Sequence, residues 1–185
     1  MEYNKKFLII GNQNAITYKE IFSYIKDGKI WLGHKWVKEF KQPNGEIKKF
    51  GNICWFTNLE TNKYIDAPCI INKYSEEKYP KYDNYNAINI NKLNEIPYDF
   101  NKKMGVPITI IDKVCSDGYI HFDTPMLSNK NSVYKILGLW NDKRDENPIF
   151  IKGEKTYLDE KHKNFVGPVI NNKAVYARIL IQKVQ

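Results

Sequence analysis

FLIIGNQNAI, residues 7–16, sets an unbroken apolar run against a glycine and three amide side chains, Asn12, Gln13 and Asn14. Continuous apolar character with β-branched residues, ended by glycine, predicts a short buried strand over Phe7–Gly11. Thr17 then precedes YKEIFSYIKDG, in which Ile21, Phe22 and Ile25 fall at helical spacing and Gly28 supplies a C-terminal stop. KIWLG, Lys29 to Gly33, is a second short apolar strand. Strand, helix and strand in so few residues predict the parallel unit of an α/β sheet. A buried strand only a few residues from the start of the sequence raises the question of its neighbours.

The character of the chain then changes. Pro43-Asn44-Gly45 is a turn between two charged, alternating segments and predicts a hairpin. NICWFTNL follows as the clearest strand of the region, with Ile53, Trp55 and Thr57 on one side and Cys54, Phe56 and Asn58 on the other. Residues 60–105 are polar, rich in tyrosine and broken by Pro80, with a short strand at Ala87–Ile90. Gly105–Lys113 is apolar and fits a strand or a short helix equally. Asp117-Gly118 marks a turn, Tyr134–Trp140 and Ala174–Val184 read as strands, and Asn141–Pro148 as a loop. There is no internal repeat.

At 185 residues, 42% hydrophobic and 14% aromatic, the chain is long and apolar enough to bury a core. No apolar run approaches a membrane span, and MEYNKK lacks the apolar segment of a secretory signal, so the expected location is cytoplasmic, with no membrane partner. Cys54, Cys69 and Cys115 are odd in number and far apart, which predicts neither a disulfide framework nor a zinc site, and no metal is expected. His34, His121 and His162 are scattered and read as surface or packing residues. The net charge of +8 favours a polyanionic partner. Yet 27 of the 29 basic residues are lysine, and the chain is heavy in Asn, Ile and Tyr, a composition that A+T-rich coding also produces.

In open parallel sheets ligands bind beyond the carboxyl ends of the strands. Gly11, Asn12, Gln13 and Asn14 lie at such an end, and amides both donate and accept, as nucleobase edges require. A plain turn capping the next helix needs the same residue types.

The blocks KKFLIIGNQNAITYKEIF, IKDGKIWLG, FGNICWFTNL, YPKYDNYNAI, MGVPITIIDK and YARILI, in that order, resemble the EcoRI-type adenine-specific DNA methyltransferase family. The similarity covers most of the chain and is weakest between about Cys115 and Lys130. The resemblance implies a Rossmann-like enzyme moving a methyl group from S-adenosylmethionine to N6 of adenine in duplex DNA, in restriction–modification systems. Such an enzyme flips the base out of the stack to reach it. Family members carry a catalytic Asn-Pro-Pro-Phe segment upstream of the block that begins here at Lys5, and a cofactor-binding strand further upstream. Neither motif is present in this sequence, so the resemblance implies the C-terminal part of such an enzyme, inactive on its own, with Phe7–Gly11 an interior strand whose neighbour belongs to the missing part. Most cofactor contacts would then lie outside this chain, with a separate N-terminal half as a possible partner. The expected fold is α/β: the C-terminal portion of a Rossmann-like sheet with an inserted hairpin over residues 1–66. Residues 67–185 carry the remaining strands and a loop-rich region for DNA recognition.

Gly11, Asn12, Gln13 and Asn14 would line the cleft for the base. Lys35, Lys38, Lys41, Lys48 and Lys49 around the hairpin would meet the DNA backbone, where contacts position without specifying. Lys143 and Arg144 in the late loop are candidates for base reading. An edge hairpin carrying lysines to block strand pairing explains the first group equally. Tyr79, Tyr82 and Tyr85, interleaved with Lys78 and Lys81, fit packing better than base stacking. Of the four tryptophans, Trp31, Trp55 and Trp140 are expected in the core and Trp36 outside it. Two other readings compete. One is a non-catalytic DNA-binding subunit completing a split methyltransferase. The other, weaker, is a Mg-dependent nuclease built on Asp27, Glu46 and Lys48; Glu-x-Lys recurs here at chance frequency.

Overall fold

The computed structural model describes residues 5–33, 38–60, 67–141 and 150–185. The described residues form a mixed α/β structure with one regular helix and several sheets. Strand β1 spans Leu8–Asn12, helix α1 Lys19–Lys26, β2 Trp31–Leu32 and β5 Ile53–Thr57. Between them β3, Glu39–Lys41, and β4, Ile47–Lys49, form a separate two-stranded hairpin turned by Gly45 at φ +88°. The expected strands, helix and hairpin of this half are thus present, with small shifts at their ends.

Their order is not the expected one. β1 and β2 both pair antiparallel with β5, giving the order β1-β5-β2. The two flanking strands therefore run parallel to each other without touching. The physical reason is that Ile53–Thr57 offers two usable faces. Cys54 and Phe56 pack toward α1 opposite Gly11, Ile9 and Leu32, while Trp55 and Thr57 serve the other face. A strand that buries both faces takes the centre of a sheet. β1, expected in the interior, is left at an edge: no described strand pairs with its outer side.

The larger sheet has the order β10-β9-β13-β7-β6: Phe150–Ile151, Asn131–Trp140, Arg178–Lys183, Met104–Pro107 and Ile88–Asn89. β8, Tyr119–Asp123, pairs antiparallel with the first half of β9. β6 runs parallel to β7, and β13 runs antiparallel to both β7 and β9. Gly105–Lys113 resolves into both of its alternatives, since β7 stops at Pro107 and a 3-10 helix runs from Ile108 to Lys113. The C-terminal stretch expected as one strand is divided. Lys173–Ala174, β12, folds back on Val169–Ile170, β11, through Asn171 and Asn172 at φ +50° and +58°, and only Arg178–Lys183 joins the large sheet. Paired asparagines tolerate the left-handed conformation that a two-residue hairpin requires.

One continuous core joins the parts. Ile16, Phe22, Ile25 and Phe56 meet Val106, Ile120, Ile136 and Ile179. On the opposite face of the large sheet Trp140 and Leu180 are covered by Tyr82 and Ala87. Tyr82 stands edge-on to Trp140 at 4.6 Å between centroids, and the Trp140 indole donates to the Val166 carbonyl at 2.8 Å. Tyr79 and Tyr82 are buried, so the packing reading of these tyrosines holds. Trp31 and Trp140 are buried and Trp55 is half-buried; Trp36 lies outside the described residues. His121 bonds Asp117 at 2.7 Å and His162 bonds Asp159 at 2.8 Å, each within its own turn, while His34 lies outside the described residues. Among the described residues no helix is long and apolar enough to cross a membrane.

Candidate functional site

At its carboxyl end β1 runs directly into a 3-10 turn, Gln13–Thr17. The Asn12 side chain accepts from the Asn14 backbone N–H at 2.8 Å, so this amide caps the turn. The Gln13 N–H donates to the Asn52 carbonyl at 2.8 Å, and the Thr17 hydroxyl donates to the Asn14 carbonyl at 2.8 Å. No described residue hydrogen-bonds the side-chain amides of Gln13 and Asn14. Gly11 is needed for space, since a Cβ there would stand 2.9 Å from the Phe56 ring. The four candidate residues thus lie at the end of β1 and the start of the turn, with one of the three amides committed to that turn.

Beside them lies an apolar cavity of about 350 Å³, lined by residues that include Phe7, Ile9, Ala15, Ile21, Tyr24 and Phe56. Leu8, Ile9 and Ile10 are 53%, 56% and 40% exposed, three consecutive large aliphatic side chains on an edge strand. Isolated edge strands carry charges, bulges or prolines that discourage pairing. β1, Leu8–Asn12, carries none of these.

The basic candidates divide. Lys38, Lys41, Lys48 and Lys49 are exposed on and beside the β3–β4 hairpin, where Lys48 sits 5.5 Å from the Phe50 ring centre. Lys35, Lys143 and Arg144 lie outside the described residues. Asp27 closes the helix α1 and pairs with Lys29 at 3.4 Å, whereas Glu46 bonds Asn44 within the hairpin turn. The acids of the nuclease reading are thus engaged locally on separate elements. No group of three or more His, Cys, Asp or Glu suited to a metal is present among the described residues.

Two features escaped the sequence reading. The tilted pair Tyr74 and Phe100, 4.5 Å apart, borders a cavity of about 200 Å³ with Lys81, Lys102 and Lys103 at its walls. Arg178 is tied to Asn89, which is itself bonded by Tyr82. The scarcity of arginine was the available signal for the second.

The cysteines give a direct check on burial. Burial pushes the Cys54 thiol up to about 11, whereas Cys69 is exposed. Iodoacetamide at pH 8 on the native chain should label Cys69 within minutes and leave Cys54 unmodified until denaturant is added, read by mass spectrometry. Rapid labelling of Cys54 would mean that β5 is not the packed central strand described here.

The family model for the adenine-specific methyltransferase EcoRI matches residues 1–184. The chain is 46% identical over 134 residues to the type II methyltransferase M.EcoRI of Escherichia coli, an alignment covering 61% of this chain and 41% of that protein. It is 35% identical over 134 residues to the type II methyltransferase M.MgeORF184P of Mycoplasma genitalium, covering 60% and 42%. M.MpnI of Mycoplasma pneumoniae, also a type II methyltransferase, is 33% identical over 132 residues, covering 60% and 41%. The matched part is about two fifths of each relative's length. No solved structure matches. With nearly its whole length matched in family order, the chain belongs to the EcoRI-type adenine-specific methyltransferase family.

Proposed function

We propose that this chain forms the sheet end and DNA-handling part of a restriction–modification methyltransferase that transfers a methyl group from S-adenosylmethionine to N6 of adenine in duplex DNA. The observation that carries this reading is the unpaired, apolar outer side of β1 in a chain of that family. The strand that continues the sheet beyond β1 would bring the Asn-Pro-Pro-Phe segment and the cofactor site. Whether it arrives on the same polypeptide or another, it would set the catalytic segment beside Gly11, Asn12, Gln13 and Asn14. Gln13 and Asn14 would then face the flipped base. Residues 67–185, with the hairpin lysines, would hold the duplex.

S-adenosylmethionine does not fit the cavity beside β1. The cavity beside β1 is walled by apolar side chains and offers neither a carboxylate for ribose hydroxyls nor a polar partner for the amino-acid end. No step of the transfer is therefore assigned to this chain's own side chains. Calorimetry with this chain alone should show no S-adenosylmethionine binding. Transfer of labelled methyl to DNA should begin only when a polypeptide with the cofactor strand and Asn-Pro-Pro-Phe is supplied. Clear one-to-one cofactor binding by the isolated chain would sink the proposal.

A further inference from the structure

Arg178 opens β13 at the carboxyl ends of the strands beside it, opposite Pro107 of β7 and Trp140 of β9. The start of β13 therefore shares one rim of the sheet with the carboxyl ends of β7 and β9. The Arg178 Nε donates to Asn89 Oδ1 at 3.1 Å, and the Tyr82 hydroxyl donates to the same oxygen at 2.8 Å. Asn89 is only 4% exposed, and its Nδ2 donates to Asn91 Oδ1 at 2.9 Å. Arg178 Nη1 donates to the Tyr176 carbonyl at 3.3 Å and to the Ala177 carbonyl at 3.5 Å. Among the described residues no hydrogen bond is made by Nη2, and Arg178 is half-buried rather than enclosed. Two residues earlier, the Tyr176 side chain is 90% exposed.

We propose that Arg178 reads a base: held in plane by Asn89, its guanidinium donates to the acceptor edge of one guanine in the major groove of duplex DNA, with Tyr176 packing against the adjoining step. This rests on the DNA methyltransferase reading above. The choice of a base over a phosphate follows from residue usage. A phosphate needs a positive charge, which lysine supplies, and lysine fills 27 of the chain's 29 basic positions. Only a directional, two-pronged contact gains from the fixed plane of a guanidinium. A buried asparagine and tyrosine that fix Nε are the support such a contact requires.

The test is selection from a randomised duplex library at low salt, by the chain alone and with its catalytic complement, followed by affinity measurement on the selected site. Wild type should select a site containing guanine at one position. Arg178→Lys should lose preference there alone, by about 10- to 100-fold, with its melting temperature little changed. Replacing that guanine by 7-deazaguanine, which removes the N7 acceptor, should weaken wild type about tenfold and leave Arg178→Lys indifferent. This substitution decides the matter even where the variant folds poorly. An unaltered preference in Arg178→Lys, or tolerance of 7-deazaguanine at every guanine, overturns the assignment of Arg178 and leaves the methyltransferase reading standing. Absence of DNA binding by wild type in both forms overturns both.

Discussion

Lysine in place of Ile9 or Ile10 is expected to abolish methyl transfer by the completed enzyme, by a hundredfold or more, while the isolated chain melts within a few degrees of wild type. In this structure both side chains are more than a third exposed on an edge strand, so a charge there remains in water. In the proposed complete enzyme a neighbouring strand would pair with β1 and cover these side chains, and the same ammonium would be taken out of water without a partner. That costs several kcal/mol, and every 1.4 kcal/mol is tenfold in an association constant. Ile71→Lys is the control, because Ile71 is equally exposed but lies away from β1. Methyl transfer measured over a range of complement concentrations separates failed docking from failed chemistry, since docking is recovered in part at high concentration. Full activity in Ile9→Lys and Ile10→Lys would show that β1 is a true edge and that the cofactor half attaches elsewhere.

What was legible in the sequence is what local chemistry decides. The apolar run ending at Gly11, the helical spacing of Ile21, Phe22 and Ile25, and the Pro43-Asn44-Gly45 turn each named its element, and each is present. Strand order was not legible, because β5 enters between β1 and β2 through contacts of long sequence separation. β8 was missed although Tyr119–Asp123 alternates, with Ile120 and Phe122 buried between more exposed neighbours. Five residues beside a turn give a weak periodic signal until β9 is known to lie alongside. The site divides in the same way. Gly11 to Asn14 could be proposed from sequence because a strand end is a local feature, whereas the tie from Arg178 to Asn89 spans 89 positions and exists only in the folded sheet.

Alanine at Gly28 or at Gly118 should destabilise the chain by about 2–4 kcal/mol, among its largest single-site effects outside the apolar core. Sequence reading assigned both glycines to turns, and each does have positive φ, +64° and +80°. Gly28 ends α1 in a Schellman arrangement, its N–H donating to the Ile25 carbonyl at 3.1 Å and that of Lys29 to the Tyr24 carbonyl at 2.8 Å. Gly118 follows Asp117 in the turn that opens β8, its N–H donating to the Cys115 carbonyl at 3.0 Å. What the sequence does not reveal is that the two turns pack backbone against backbone. A Cβ on Gly28 would stand 2.8 Å from the Gly118 Cα, and one on Gly118 would stand 3.0 Å from the Gly28 Cα. Backbone cannot swing aside as a side chain does, so the turns must separate, and with them α1 and the β8 end of the large sheet. Asparagine tolerates positive φ better than alanine but clashes equally, so Gly28→Asn should rescue little. The double variant Gly28→Ala/Gly118→Ala should cost clearly less than the two single losses added, because turns already forced apart have no contact left to break. Thermal and urea unfolding of the four proteins measure this. Simple additivity would mean that each glycine is needed only for its own dihedral angle, and that the seam between the two sheets is looser than the structure has it.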